Sequence, residues 1–138
     1  MRSREEVIRD FIQQWLSKAD SDLAAAEILA AGEMGDYFPC AFHCQQAVEK
    51  LLKAFLVRHQ IEFRKTHDLD RLLELASRSE PPLQEELASC TWLSPFGVEF
   101  RYPGDYPQVD RKTAKKALAE ARRVQQVVME HLAPRLSS

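Results

Sequence analysis

Residues Asp36 to His59 read DYFPCAFHCQQAVEKLLKAFLVRH, and the spacing of apolar side chains in this stretch predicts a long amphipathic helix. With Val48 at the centre of a helical wheel turned about 100° per residue, Tyr37, Ala41, Cys44, Leu51, Leu52 and Phe55 fall on one arc. An arc of that width has to be covered by other elements, so the rest of the chain is expected to pack around it. His43, Gln46, Lys50 and Lys53 fall on the opposite, solvated side, and Gln45 and Glu49 on the flank between the two. Glu49 and Lys53 form an i,i+4 pair in the favourable order, worth about 0.3 kcal/mol on a solvated surface.

Upstream, Arg4 to Ala31 carries Ile8, Phe11, Trp15, Ala19, Ala26 and Leu29 on one face and predicts a long first helix that stops at the Gly32 and Gly35 region. Asp22 lies on the same arc. A carboxylate there either reaches the rim or pairs with a cation from elsewhere, Arg101 or Lys50, because an unpaired buried charge is prohibitive. Asp36 is placed to cap the central helix, and Pro39 fits its first turn, where no intrahelical donor is needed.

Downstream, residues 60–65 form a connector, and Thr66 is expected to cap a third helix bearing Leu69, Leu72, Leu73 and Ala76. His67 then falls in its first turn, where it either joins a local hydrogen-bond arrangement or serves as a ligand or proton carrier. Pro81 and Pro82 open a short fourth helix through Glu85, Leu87 and Cys90. Residues 94–107, rich in Pro and Gly, read as a loop anchored by Phe96, Phe100, Tyr102 and Tyr106. From Val109 to Leu132 a last helix turns Ala114, Leu118, Ala121, Val128 and Leu132 inward and most of its Arg and Lys residues outward. No strand-period run interrupts this order. The class is therefore all-α, an up-down bundle of three long helices and two shorter ones, in a single domain spanning residues 1–138.

Composition narrows the function classes. The chain has 138 residues, 45% hydrophobic and 29% charged, as soluble globular proteins do, with room for one sizeable core. A net charge of -2 argues against a generic nucleic-acid coat, which is normally basic overall, and leaves only local basic patches. Cys40, Cys44 and Cys90 are an odd number without paired metal spacing; they read as small apolar residues in a reducing compartment, and no metal or cofactor is expected. No apolar run approaches a membrane span. The charged opening MRSREEVIRD lacks the pattern of a secretion signal, so a cytoplasmic location is expected. Gly-rich phosphate loops, HExxH and Ser/His/Asp motifs are absent.

The combination of AFHCQQAVEKLLKAFLVRH (41–59), FRKTHDLDRLL (63–73), the earlier Trp15, Asp22 and Leu23, and FRYP (100–103) resembles the HEPN domain family, the all-helical domain often found beside minimal nucleotidyltransferases. The resemblance spans roughly Ile8 to Leu132 and implies nucleotide binding, homodimer formation and a nucleotidyltransferase partner. HEPN ribonucleases, some of them toxins of toxin–antitoxin pairs, carry an Arg followed by a His after four to six residues; the guanidinium engages the scissile phosphate and the imidazole titrates near neutral pH. Here Tyr106 stands where Arg101 would want that His, and tyrosine is a poor general base at neutral pH.

Two readings follow. The preferred one is a non-catalytic module that binds nucleotide or its nucleotidyltransferase partner through Gln45, Glu49, Lys50, Lys53, Arg101 and Tyr102, with Asp22 and His67 as structural polar groups. The alternative is a metal-independent endoribonuclease that uses Arg101 with Tyr106, or with His43 or His67 brought in from another helix.

Overall fold

A computed structural model describes residues 2–97, 105 and 107–136 of the chain. Among them five α-helices follow one another: α1 (Arg4–Ala31), α2 (Phe38–Arg58), α3 (Leu69–Ser79), α4 (Pro82–Leu87) and α5 (Arg111–Leu136), with a 3-10 segment (Ala88–Gly97) after α4 and no strand. The molecule is thus the expected up-down bundle, with α1, α2 and α5 long and α3 and α4 short. The central helix packs against α1, α3, α5 and the 3-10 segment, which makes it the hub of the core.

Local chemistry explains the boundaries. Helix α1 starts in a capping box: Glu6 N donates to Ser3 Oγ at 3.2 Å and Ser3 N to Glu6 Oε2 at 3.3 Å. It ends at Gly32, as expected. The N-cap of α2 is Tyr37, not the expected Asp36, and its side chain makes no capping bond; Asp36, one residue earlier, accepts through Oδ1 from Phe38 N at 3.0 Å and from Val109 N at 3.1 Å, so one carboxylate serves the entry to α2 and holds the approach to α5. Tyr37 N donates to Val109 O and Arg111 Nη2 to Gly32 O, completing the tie between the α1–α2 turn and α5.

The buried stripe of α1 departs from the sequence expectation. Ile12, Leu16, Ala19, Asp22, Leu23, Ala26 and Ala30 face the core, while Phe11 is 51% exposed and Ile8, Trp15 and Leu29 lie at the margin. The observed stripe alternates steps of three and four residues and ends in alanines, which let α1 and α2 approach closely. A wheel anchored on the large Trp15 is turned about one position from the true seam. On α5, Ala117 and Val124 join the buried row and Leu118 moves to its edge for the same reason.

The cap of α3 also differs. Asp68, not Thr66, is the N-cap, accepting from Asp70 N at 3.0 Å and Arg71 N at 3.4 Å, while Thr66 Oγ1 accepts from Asp68 N. A carboxylate offers two acceptors and suits the helix dipole, so it outcompetes the hydroxyl. His67 therefore precedes the helix. The α4 chain tightens into the 3-10 segment, so Ser94 to Gly97 are regular there; Phe96 anchors them edge-on to Phe38 at 6.1 Å and to Trp92 at 5.9 Å. All three cysteines are buried as apolar filler, and burial first, then the charge of Glu120, pushes the Cys90 thiol up to about 12.

Helix α5 is clamped to the α4 end by Glu120, whose Oε1 accepts from Ser89 Oγ at 2.7 Å and Arg123 Nη2 at 2.9 Å, while Arg123 Nη1 donates to Glu86 O. Burial raises the Glu120 carboxyl, but the bonds from Arg123 and Ser89 outweigh it and hold the group below its ordinary range. A folded-state pKa below the unfolded one contributes stability above the unfolded value, and that contribution is lost as pH falls through the folded value. The stability difference between the protein and Glu120→Gln, measured by urea unfolding, is therefore expected to be full at neutral pH and to close on acidification; a difference independent of pH contradicts this account of the clamp.

Candidate functional site

The chemistry of the molecule gathers on the polar side of α2, in two adjoining clusters. In the first, His43 and Lys50 project from α2 toward Asp22 of α1. Lys50 Nζ donates to Asp22 Oδ2 at 2.5 Å and His43 Nδ1 lies 2.9 Å from Asp22 Oδ1, so both carboxylate oxygens are engaged. The Asp22 side chain is 11% exposed and that of His43 33%. The carboxylate on the α1 stripe is tolerated because it is paired twice.

The second cluster is deeper. Gln45, Glu49 and Lys53, one turn apart along α2, are all buried, and the Lys53 and Glu49 side chains retain only 7% and 5% exposure. Glu49 Oε2 accepts from Lys53 Nζ at 3.1 Å, and Oε1 accepts from Gln45 Nε2 at 3.4 Å and sits 2.6 Å from His67 Nδ1. The Lys53 ammonium also lies 5.4 Å from the Trp15 ring centroid and 5.8 Å from that of Phe63, whose π faces take part of the place of water. Gln45 Nε2 donates to His67 O at 3.1 Å, and Gln46 Nε2 donates to Gln45 Oε1 at 2.7 Å. A continuous chain of bonds thus runs from Gln46 to the His67 segment.

The 3-10 segment closes this cluster. A Cβ on Gly97 would meet Gln45 Oε1 at 2.5 Å and Nε2 at 2.6 Å, so a larger residue there would have to displace the buried amide from its present place.

An ionised carboxylate only accepts, so the contacts to Asp22 and Glu49 assign the proton to Nδ1 of His43 and of His67 and leave each Nε2 as the basic nitrogen. The His67 side chain is 51% exposed, against 5% for the carboxylate beneath it. Each imidazole thereby has Nδ1 held by a carboxylate and Nε2 left for a second partner, an arrangement suited to binding a phosphate oxygen or moving a proton.

The expected site residues divide accordingly. Lys50 stands at the half-exposed rim and pairs with Asp22. Gln45, Glu49 and Lys53 do not form a solvated face: they bond to one another and to His67, because Trp15 from α1 and Phe63 from the connector cover the side of α2 that its own periodicity leaves open. They hold His67 from beneath. Arg101, Tyr102 and Tyr106 lie outside the described residues. The pairing of His67 with Glu49 is not legible in the sequence, since the two are 18 residues apart and no periodicity links them. Among the described residues no three His, Cys, Asp or Glu side chains are grouped to hold a metal ion, and no helix is long and apolar enough to cross a membrane.

Comparison with known proteins agrees with this architecture. A family model described as the HEPN domain matches residues 12–132. The fold is similar to that of ST0689, an archaeal HEPN homologue of known crystal structure, at a TM-score of 0.69 and 26% identity, covering 88% of this chain and 97% of that one. It is equally similar to TT1696 from Thermus thermophilus, at a TM-score of 0.69 and 25% identity, covering 86% of this chain and 96% of that one. No curated protein matches.

Removing one member of the buried Glu49–Lys53 pair strands the other. Glu49→Ala and Lys53→Met are each expected to cost about 3–5 kcal/mol in urea unfolding. The double variant Glu49→Gln, Lys53→Met should recover a good part of that loss; equal, additive losses would show that the pair does not act as a unit.

Proposed function

The chain belongs to the HEPN domain family, and on that premise we propose that it is a non-catalytic, self-associating module that binds a nucleotide and works with a minimal nucleotidyltransferase. The observation that carries the reading is the pair of imidazoles seated on buried carboxylates, His43 on Asp22 and His67 on Glu49, with Lys50 at the same rim. Fixed donors and a cation on a rigid helix suit an anionic ligand that must be held in one orientation, since the ordering cost is already met by the fold. The bonds of Gln45, Glu49 and Lys53 to one another assign them support of His67, leaving ligand contact to Lys50 and the two histidines.

Calorimetric titration with nucleoside mono-, di- and triphosphates tests this. Micromolar binding of one class is expected, weakened about tenfold or more by Lys50→Ala or His67→Ala, the size expected for one charge-assisted hydrogen bond. No binding at millimolar nucleotide overturns the nucleotide part. The partner part is tested by co-purification with the product of a neighbouring nucleotidyltransferase reading frame; no association at micromolar concentrations removes it.

The imidazole geometry also favours a second reading, a metal-independent endoribonuclease. A histidine whose Nδ1 is held by a carboxylate and whose Nε2 is left for a second partner is the arrangement a general base for 2′-hydroxyl attack requires. Under that reading, structured or single-stranded RNA is cleaved in the presence of EDTA, and His67→Ala, His43→Ala or Arg101→Ala abolishes cleavage. Intact RNA after prolonged incubation leaves the binding reading alone.

A further inference from the structure

Beside His67, the connector between α2 and α3 and the outer side of α3 enclose an open cavity of about 520 Å³. Arg64, Lys65 and Arg71 line it against one carboxylate, Glu62, with Phe63 and Leu75 supplying the apolar part of the wall. The chain as a whole carries a net charge of -2, so three cations around one cavity are a local reversal of its field, which attracts anions into a concave space. The volume lies in the ordinary range for small-ligand sites.

The cations are available. Arg64 and Lys65 are exposed and form no hydrogen bond or ion pair among the described residues. Arg71 gives Nη1 to Glu74 Oε1 at 3.0 Å, and Glu74 is shared with Arg78, which takes it from the outer side of α3. The other donors of the Arg71 guanidinium have no partner among the described residues. Thr66, also in the wall, accepts from Asp68 N through Oγ1 and keeps its own O–H to donate. On α5, by contrast, arginines are engaged: Arg111 pairs with Glu33, Arg122 with Glu27 and Arg123 with Glu120. The cations of the concave wall that form no ion pair among the described residues, Arg64 and Lys65, are at the connector.

We propose that this cavity, lined by Arg64, Lys65 and Arg71 and bordered by His67, binds the phosphate chain of a nucleoside di- or triphosphate. Guanidinium groups match phosphate oxygens with paired donors, and the adjacent lysine adds a mobile point charge. The hydroxyl of Thr66 donates to an oxygen in the same chain. His67 is next in sequence to Thr66 of the wall, with its Nδ1 held by Glu49 of α2. The proposal rests on the nucleotide reading given above and adds where the phosphates lie, and a phosphate-only probe separates the two.

The test uses the full chain and two titrants, a nucleoside triphosphate and inorganic tripolyphosphate. The expected result is that affinity rises from mono- to di- to triphosphate, that tripolyphosphate competes with the nucleotide, and that Arg64→Ala with Lys65→Ala lowers affinity for both titrants by about a hundredfold, about tenfold for each lost charge-assisted contact. Arg71→Ala should lower it about tenfold, whereas Arg78→Ala, on the same helix but outside the cavity, should leave it unchanged. Thermal unfolding of the variants should match the parent, since the replaced side chains are exposed. If tripolyphosphate binds and the double variant loses it while no nucleoside phosphate binds more tightly, the phosphate site stands and the nucleotide reading falls. If nucleotides bind with an affinity indifferent to phosphate number and to the Arg64 and Lys65 substitutions, the nucleotide reading stands and this assignment of its phosphates is wrong. Absence of binding by both titrants at millimolar concentration overturns both.

Discussion

The structure depends on the burial of one carboxylate, Glu49, on a helix that is covered on nearly every side. In an interior of low dielectric an ionised carboxylate survives only where donors surround it. Here Lys53, Gln45 and His67 supply them. Each donor arrives from a constraint of its own. Lys53 is one turn along α2 and is sheltered by the faces of Trp15 and Phe63, while Gln45 is pressed by Gly97 of the 3-10 segment. His67 is delivered by the connector just before the Asp68 cap starts α3. The arrangement ties four parts of the chain to one functional group, so the fold and the site are one construction.

The same logic explains why the surface chemistry is sparse and ordered. A small bundle with little net charge has few groups able to recognise an anion, and several of the ion pairs among the described residues join two exposed side chains and are weak. What distinguishes His43 and His67 is the difference in exposure between imidazole and carboxylate. The carboxylate beneath is dry and fixed, and the ring above is wet. His67 also follows directly on the cationic stretch of Arg64 and Lys65, whereas on α5 the arginines Arg111, Arg122 and Arg123 pair with carboxylates.

The α1–α2 turn shows how a single side chain can set the register of the bundle. Asp36 accepts from the first amide of α2 and from Val109 before α5. Those bonds place α5 against the seam formed by α1 and α2, so Ala114, Ala117, Ala121 and Val124 close the core with small side chains. Alanine-rich seams permit close approach of helices but carry little directional information of their own. The polar ties at the helix ends supply it.

Read alone, the sequence determined the helical class, the three long and two short elements, the ends of α1 and α2 and the family, because periodicity, capping residues and glycine or proline breaks act within a few positions of the chain. It also limited Asp22 to a rim position or a cationic partner, Lys50 or Arg101, by the cost of an unpaired charge. Only the tertiary structure decided that Lys53 is interior, that Phe11 is outside, that Asp22 meets Lys50 and His43, and that Glu49 meets His67. A helical wheel reports which side of a helix is apolar, but not whether a neighbouring tryptophan and a connector phenylalanine will cover the polar side as well. That outcome is set by how the elements close on one another, through contacts between residues far apart in sequence, and no local pattern records it.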